Sequence, residues 1–148
     1  MIAIAPATAT HINAIFAIEQ EAFSEPWSRA ALLQEATQPT SVFLVALDEG
    51  SENRVLGYIS MRCIIDEGHI SNIAVAATHK QQGIGSLLIE SLAKEARRRQ
   101  IIALTLEVRT SNHAAIALYE KHGFTAEGIR KNYYSFPTED GVVMWRYL

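Results

Sequence analysis

A chain of 148 residues with 49% hydrophobic and 20% charged residues has the size and balance of one globular domain, which excludes disorder over most of its length. Thirteen Lys and Arg against sixteen Asp and Glu leave a net charge of −3, so attraction to a phosphate backbone cannot be the main business of the whole surface. The single cysteine, Cys63, excludes an internal disulfide framework and a zinc site built from several thiolates.

A reducing cytoplasm is the expected setting. The opening residues Met1-Ile2-Ala3-Ile4-Ala5 lack the basic region and long apolar stretch of a signal peptide, and no run is long enough to span a membrane. Neither repeats nor a linker divide the chain, so residues 1–148 read as one domain.

Ile2–Ala5 reads as a first strand closed by Pro6. From Thr10, Ile12, Ile15, Phe16, Ile18, Ala22 and Phe23 recur at helical spacing, with Thr8 or Thr10 as cap. Glu25-Pro26-Trp27-Ser28 interrupts that helix, and Ser28 suits the cap of a second one running to about Ala36. Val42–Leu47 is rich in β-formers, and Asp48–Asn53 turns the chain into a strand at Val55–Ile65. Asp66-Glu67-Gly68 reads as the next turn and His69–Val75 as a fourth strand. Such short connections predict an antiparallel meander.

The period then changes. After Gln81-Gln82-Gly83-Ile84-Gly85, a helix carries Ile84, Leu87, Leu88, Leu92 and Ala96 on one face. Ile101–Val108 is a strand, Asn112 caps a short helix, and Gly123 ends it. Phe124–Ile129 and Val142–Leu148 complete the chain as a closing hairpin, and the class is α+β.

Three features could carry chemistry. Gly83 and Gly85 open a helix, where small residues and free N–H groups suit a phosphate, although such a loop also serves a plain strand–helix turn. Neither a Walker A loop nor a complete dinucleotide fingerprint is present. Alternation puts Glu107 on the face opposite Leu106 and Val108, so its carboxylate is either functional or paired with Arg109 or another cation. On the next helix Ala115, Leu118 and His122 share a face with Tyr119 beside them, and Tyr119 alone fits packing as well as acid catalysis. His11, His69, His79, His113 and His122 show no metal-ligand spacing, so no metal is expected. Cys63 reads as an inert core thiol, and Arg97-Arg98-Arg99 as a solvated helix end.

Taken together these segments resemble the Gcn5-related N-acetyltransferase (GNAT) family over nearly the whole chain. The family signature Arg/Gln-x-x-Gly-x-Gly/Ala is matched by residues 80 to 85, Lys-Gln-Gln-Gly-Ile-Gly, with Lys80 in the first position. It follows Asn72-Ile73-Ala74-Val75, and the second family segment runs from Asn112 through Leu118-Tyr119 to Gly123-Phe124. Within the family, Pro26-Trp27-Ser28, Leu106–Asn112 and Arg130–Tyr134 resemble the branch that acetylates the N-terminal alanine of a small-subunit ribosomal protein.

That resemblance implies a central, mostly antiparallel mixed sheet flanked by helices, with acetyl-CoA as co-substrate. It implies Glu107 as base and Tyr119 as general acid. Ile73, Ala74 and Val75 would contact the pantetheine, Gln81, Gln82, Gly83, Ile84, Gly85 and Ser86 the pyrophosphate, and Asn112 the thiol end. Trp27, Tyr133 and Tyr134 would line the groove for a ribosomal-protein N-terminal peptide, with no membrane or direct nucleic-acid partner. The other readings are a relative acting on another protein N-terminus or a small amine, and a sensor that binds acyl-CoA without turnover.

Overall fold

The computed structural model describes residues 1–148, and its strands form one seven-stranded sheet in the order β1-β2-β3-β4-β5-β7-β6. In chain order the elements are β1 (Ile2–Pro6), α1 (Ile12–Ala22), α2 (Arg29–Thr37), β2 (Ser41–Asp48), β3 (Arg54–Ile64), β4 (Glu67–Val75), α3 (Ile84–Arg98), β5 (Ala103–Arg109), α4 (His113–Lys121), β6 (Thr125–Tyr134) and β7 (Glu139–Tyr147). β1 to β4 form the expected antiparallel meander. The closing hairpin folds back so that β7, not β6, pairs with β5.

β2 shows why the sheet is covered on both faces. Val42 and Ala46 belong to the core beneath α3, whereas Phe43, Val45 and Leu47 belong to a second core beneath α1 and α2. A strand buried on both faces must be apolar at odd and even positions, and Ser41–Asp48 is. Ser28 Oγ accepts from Ala31 N–H at 3.1 Å and Asn112 Oδ1 from Ala115 N–H at 3.1 Å, so these two predicted caps start their helices, whereas α1 follows His11 with no side-chain cap and Thr8 opens only the turn Ala9–His11. No helix is long and apolar enough to cross a membrane.

Beyond the α1 cap, four local expectations differ from the structure. Glu67 and Gly68 are already in β4, because Ile65 takes the positive φ of 57° and the turn, Ile65-Asp66, closes two residues earlier. Leu87 is 39% exposed, and Ile89 and Ala93 complete the buried stripe of α3 in its place. Cys63 is only half-buried at the edge of the larger core. β6 runs on to Tyr134, five residues past the apolar stretch that suggested it, because it is an exposed edge strand held by its ladder to β7.

One pairing decides where a ligand can enter. β4 and β5 run parallel but share only three register pairs, Glu67 with Ala103, Gly68 with Leu104 and His69 with Thr105. Beyond them the strands part, and the β5-facing edge of β4 has no strand partner from Ile70 to Val75.

Candidate active site

The splay between β4 and β5 opens into a groove of about 590 Å³, with the α1–α2 connection on one side and the end of β6 on the other. Trp27, Ile73, Glu107, Asn112, Tyr119, Tyr133 and Tyr134 all line it, though they come from six separate segments of the chain.

Glu107 projects from the splayed end of β5 between buried Leu106 and Val108, with its side chain 25% exposed. Its partner is Arg130 on β6, with Nε 3.2 Å from Oε1. Arg109, the cation next along the chain, is engaged elsewhere. It donates to the carbonyls of Ser135 and Pro137 at 2.8 Å each and to Glu139 Oε1 at 3.1 Å. Glu107 therefore keeps its Oε2 without a hydrogen-bond partner in the groove.

Tyr119 is 6% exposed on the last turns of α4, its ring tilted against Phe124 at 5.8 Å. The hydroxyl makes no hydrogen bond within the protein, and burial pushes its pKa up, with Tyr134 adding to the effect. A phenol in that setting stays protonated at neutral pH and can act as a donor.

Tyr133 and Tyr134 are consecutive, and in a regular strand they would point to opposite faces. A bulge resolves this. Arg130 faces Gly141 and Tyr134 faces Glu139, so three residues of β6 sit opposite one of β7. At its centre Asn132 takes a φ of 53° and its N–H donates to Asp140 Oδ1 at 2.8 Å. Both rings consequently reach the groove, packed edge to face at 5.0 Å. Burial raises the Tyr134 pKa to about 12, and burial with the nearby Glu107 raises that of Tyr133.

Gln81–Ser86 lie apart from these residues, at the start of α3 just past the end of β4. Gly83 is the N-cap with a φ of 80°, which glycine adopts without strain, and a Cβ there would meet nothing within 4 Å. The helical ladder begins with Leu87 N–H bonding Gly83 O, so the amides of Ile84, Gly85 and Ser86 have no protein acceptor, and no side chain caps the helix. Gly85 has a packing task as well, since a Cβ there would stand 3.0 Å from Leu118 Cδ2 on α4. Ile73 and Val75 pack toward the α3 core, whereas the Ala74 side chain is buried under α1 and α2 and does not line the groove.

The unpaired β4 edge and, just past its end, the uncapped α3 amides beside the open face of Gly83 leave backbone N–H groups without protein acceptors. The profile of the acetyltransferase (GNAT) family matches residues 12–124. The chain belongs to that family. Acetyl-CoA is accordingly its acetyl donor, and the observed sheet with four flanking helices is the family fold.

The [ribosomal protein bS18]-alanine N-acetyltransferase of Escherichia coli K12 is 37% identical over 132 residues, spanning 89% of this chain and 85% of the relative. The protein of the same name from Haemophilus influenzae is 37% identical over 137 residues, 90% of each chain. The crystal structure of the ribosomal-protein-S18-alanine N-acetyltransferase from Escherichia coli superposes with a TM-score of 0.89 at 34% identity, covering 99% of this chain and 94% of that one.

Three residues at or beside the groove take roles that were not anticipated from sequence. Arg130 pairs with Glu107 across the sheet, and Arg109 ties the β6–β7 turn to Ser24 of the α1–α2 connection, 3.3 Å from its Oγ. Glu19 lies on α1 among the apolar residues that defined that helix, yet its carboxylate is buried against the groove. Only the polar break in an otherwise apolar stripe could have marked it.

Proposed function

We propose that residues 1–148 act as a single N-terminal acetyltransferase unit whose acceptor is the N-terminal alanine of a small-subunit ribosomal protein. The observation that carries this reading is the convergence of Glu107 and Tyr119 with Trp27, Tyr133 and Tyr134 in one groove. The chain bearing them is 37% identical, over about nine-tenths of its length, to enzymes named for that acceptor. A ribosomal acceptor would place the enzyme in the cytoplasm, and the groove would take a peptide end without contact to RNA.

Acetyl-CoA, when bound, supplies the thioester that is attacked and the thiolate that leaves. The acceptor amine is an ammonium near neutral pH and has no lone pair, so Glu107 removes a proton through its free carboxylate oxygen or through one water. The amine nitrogen then bonds to the carbonyl carbon. Amides on the unpaired edge of β4 donate hydrogen bonds where negative charge develops on the carbonyl oxygen. Tyr119 gives its proton to the departing sulfur as the carbon–sulfur bond breaks, and the acetylated nitrogen sheds its surplus proton to water, which returns one to the Tyr119 phenolate. Ile73 and Val75 line the pantetheine arm, Gln81 to Ser86 hold the pyrophosphate, and Asn112 stands at the thiol end. Trp27, Tyr133 and Tyr134 provide flat apolar walls that exclude water around the peptide end.

Mass spectrometry of ribosomal proteins from cells with and without this protein tests the acceptor. Loss of one acetyl group from a single alanine-initiated small-subunit protein is expected. An unchanged set of ribosomal proteins, with turnover on polyamines or on unrelated N-termini in a peptide panel, would replace the acceptor. Binding of acetyl-CoA without any CoA release on any amine would replace the enzyme reading with the sensor one.

A further inference from the structure

Glu19 is the anomaly of the molecule. It is 1% exposed on the third turn of α1, and no Lys, Arg or His pairs with it. Three donors from three different segments converge on its carboxylate. Tyr58 O–H of β3 donates to Oε1, Asn72 Nδ2 of β4 lies 2.9 Å from both oxygens, and Trp27 N–H from the α1–α2 connection donates to Oε2 at 2.9 Å. Burial, reinforced by the neighbouring Glu19, drives the Tyr58 pKa far up, so that hydroxyl remains a donor.

A buried carboxylate without a cation is a costly way to fill space, and an apolar side chain of similar volume would serve packing better. The network does something packing cannot. The α1–α2 connection, with Phe23, Ser24, Glu25 and Trp27, forms one wall of the groove, while Ser71, Asn72 and Ile73 of β4 form its floor. Glu19 grips the wall through the Trp27 backbone and the floor through the Asn72 side chain. One side chain, itself lining the groove, therefore hydrogen-bonds to both, while Trp27 also packs on the smaller core. The other end of the wall is tied only by Arg109 to Ser24 at 3.3 Å.

We propose that Glu19 is a positioning residue for the acceptor, setting the distance between the Trp27 wall and the β4 floor so that the amine enters facing Glu107. It takes no proton in the reaction, since its oxygens are already occupied by donors. The inference rests on the reading of this groove as the site for a peptide N-terminus. Displacing a bound reactant by about 1 Å can cost two orders of magnitude in rate, which makes such a spacer consequential.

Glu19→Gln is the direct test, because it keeps the volume but turns one acceptor into an NH₂ group facing existing donors. The KM for an alanine-initiated peptide should rise roughly tenfold or more, while the KM for acetyl-CoA changes by less than about twofold. Hydrogen exchange at the Trp27 amide should accelerate at the same time. A stable variant with unchanged peptide KM and unchanged Trp27 exchange would overturn the proposal, as would an equal rise in both KM values.

Should Glu19→Gln fail to fold, Tyr58→Phe removes one donor and leaves the grip on Trp27 loosened. It should raise the peptide KM by roughly threefold, and no rise would overturn the proposal. Wild-type enzyme inert toward every peptide but active on small amines would sink the acceptor reading instead. Trp27 exchange in Glu19→Gln would then still decide whether Glu19 holds the wall, with slow exchange counting against it.

Discussion

Glu107 and Tyr119 each sit in a setting that residue type alone could not reveal. Glu107 has a cation partner, but Arg130 is 59% exposed and such a pair contributes at most about 1 kcal/mol. Glu107→Gln should therefore leave the melting temperature almost unchanged while lowering turnover by about two to four orders of magnitude. Wild-type turnover in that variant between pH 6 and 9 would remove Glu107 from the proton path. Tyr119→Phe keeps the buried ring against Phe124 and deletes a hydroxyl that bonds nothing in the protein, so stability should hold. Turnover should fall roughly tenfold to several hundredfold if the phenol protonates the thiolate. A normal rate would mean that the sulfur leaves unprotonated or is protonated by water. Both residues were legible in the sequence, Glu107 as a charge on a buried strand and Tyr119 only through the family segment around it. Glu19, Arg109 and Arg130 were not, because each acts on a residue more than 20 positions away. Local periodicity carries no information about such partners.

Among the elements, three chemical punctuation marks were read correctly, whereas Thr8 opens only a short turn before α1 and Gly68 lies inside β4. Ser28 and Asn112 cap α2 and α4, and Gly123 ends α4 with a φ of 86°. The insertion of β7 between β5 and β6, and the parting of β4 from β5, have no local signature, since both are decided by which edges meet in space. The start of α3 separates two uses of glycine. Gly85→Val would push a branched side chain into Leu118 and should destabilise by about 1–3 kcal/mol. Gly83→Ala meets no atom and should cost only about 1–2 kcal/mol from its left-handed backbone. If the phosphates lie over that open face, Gly83→Ala should nevertheless weaken acetyl-CoA binding by calorimetry. Unchanged affinity would mean that the loop merely turns the chain.

The link from β5 to α4 carries a pH signature. Ser111 N–H donates to Glu139 Oε2 at 2.7 Å, and Thr110 and Arg109 add two further bonds. Those bonds, the Ser111 ones foremost, lower the Glu139 pKa from 4.5 to about 2. A depressed carboxylate stabilises the fold fully above the unfolded value and loses that contribution as pH falls through the folded one. Melting temperature should thus decline from about pH 4.5 toward pH 2. Glu139→Gln should start lower at neutral pH and decline less steeply. Parallel curves for the two proteins would assign the acid sensitivity to other groups.

At the scale of the whole molecule, the sheet is two half-sheets joined at a seam. β1 to β4 form one half and β5, β7 and β6 the other, with three register pairs between them and the α3 core spanning the join. A ligand lying in the splay touches both halves, and no single strand pair in the free protein does so beyond His69. Acetyl-CoA should therefore stabilise the chain as a unit. At a concentration 100 times its Kd, a ligand that binds only the folded state adds about 2.7 kcal/mol. For a chain of this size that corresponds to a rise of roughly 5–10 °C in melting temperature. Mass action alone would give the same rise for a ligand bound anywhere, so the location needs a second readout. Amides of Ile70 to Val75 on the β5-facing edge of β4 have no strand acceptor, and hydrogen exchange there should slow on binding. The amides of Ile84, Gly85 and Ser86 should slow with them, because they are free for the same phosphates. A full thermal shift with both sets still exchanging freely would place the donor outside the splay and take the proposed catalytic geometry with it.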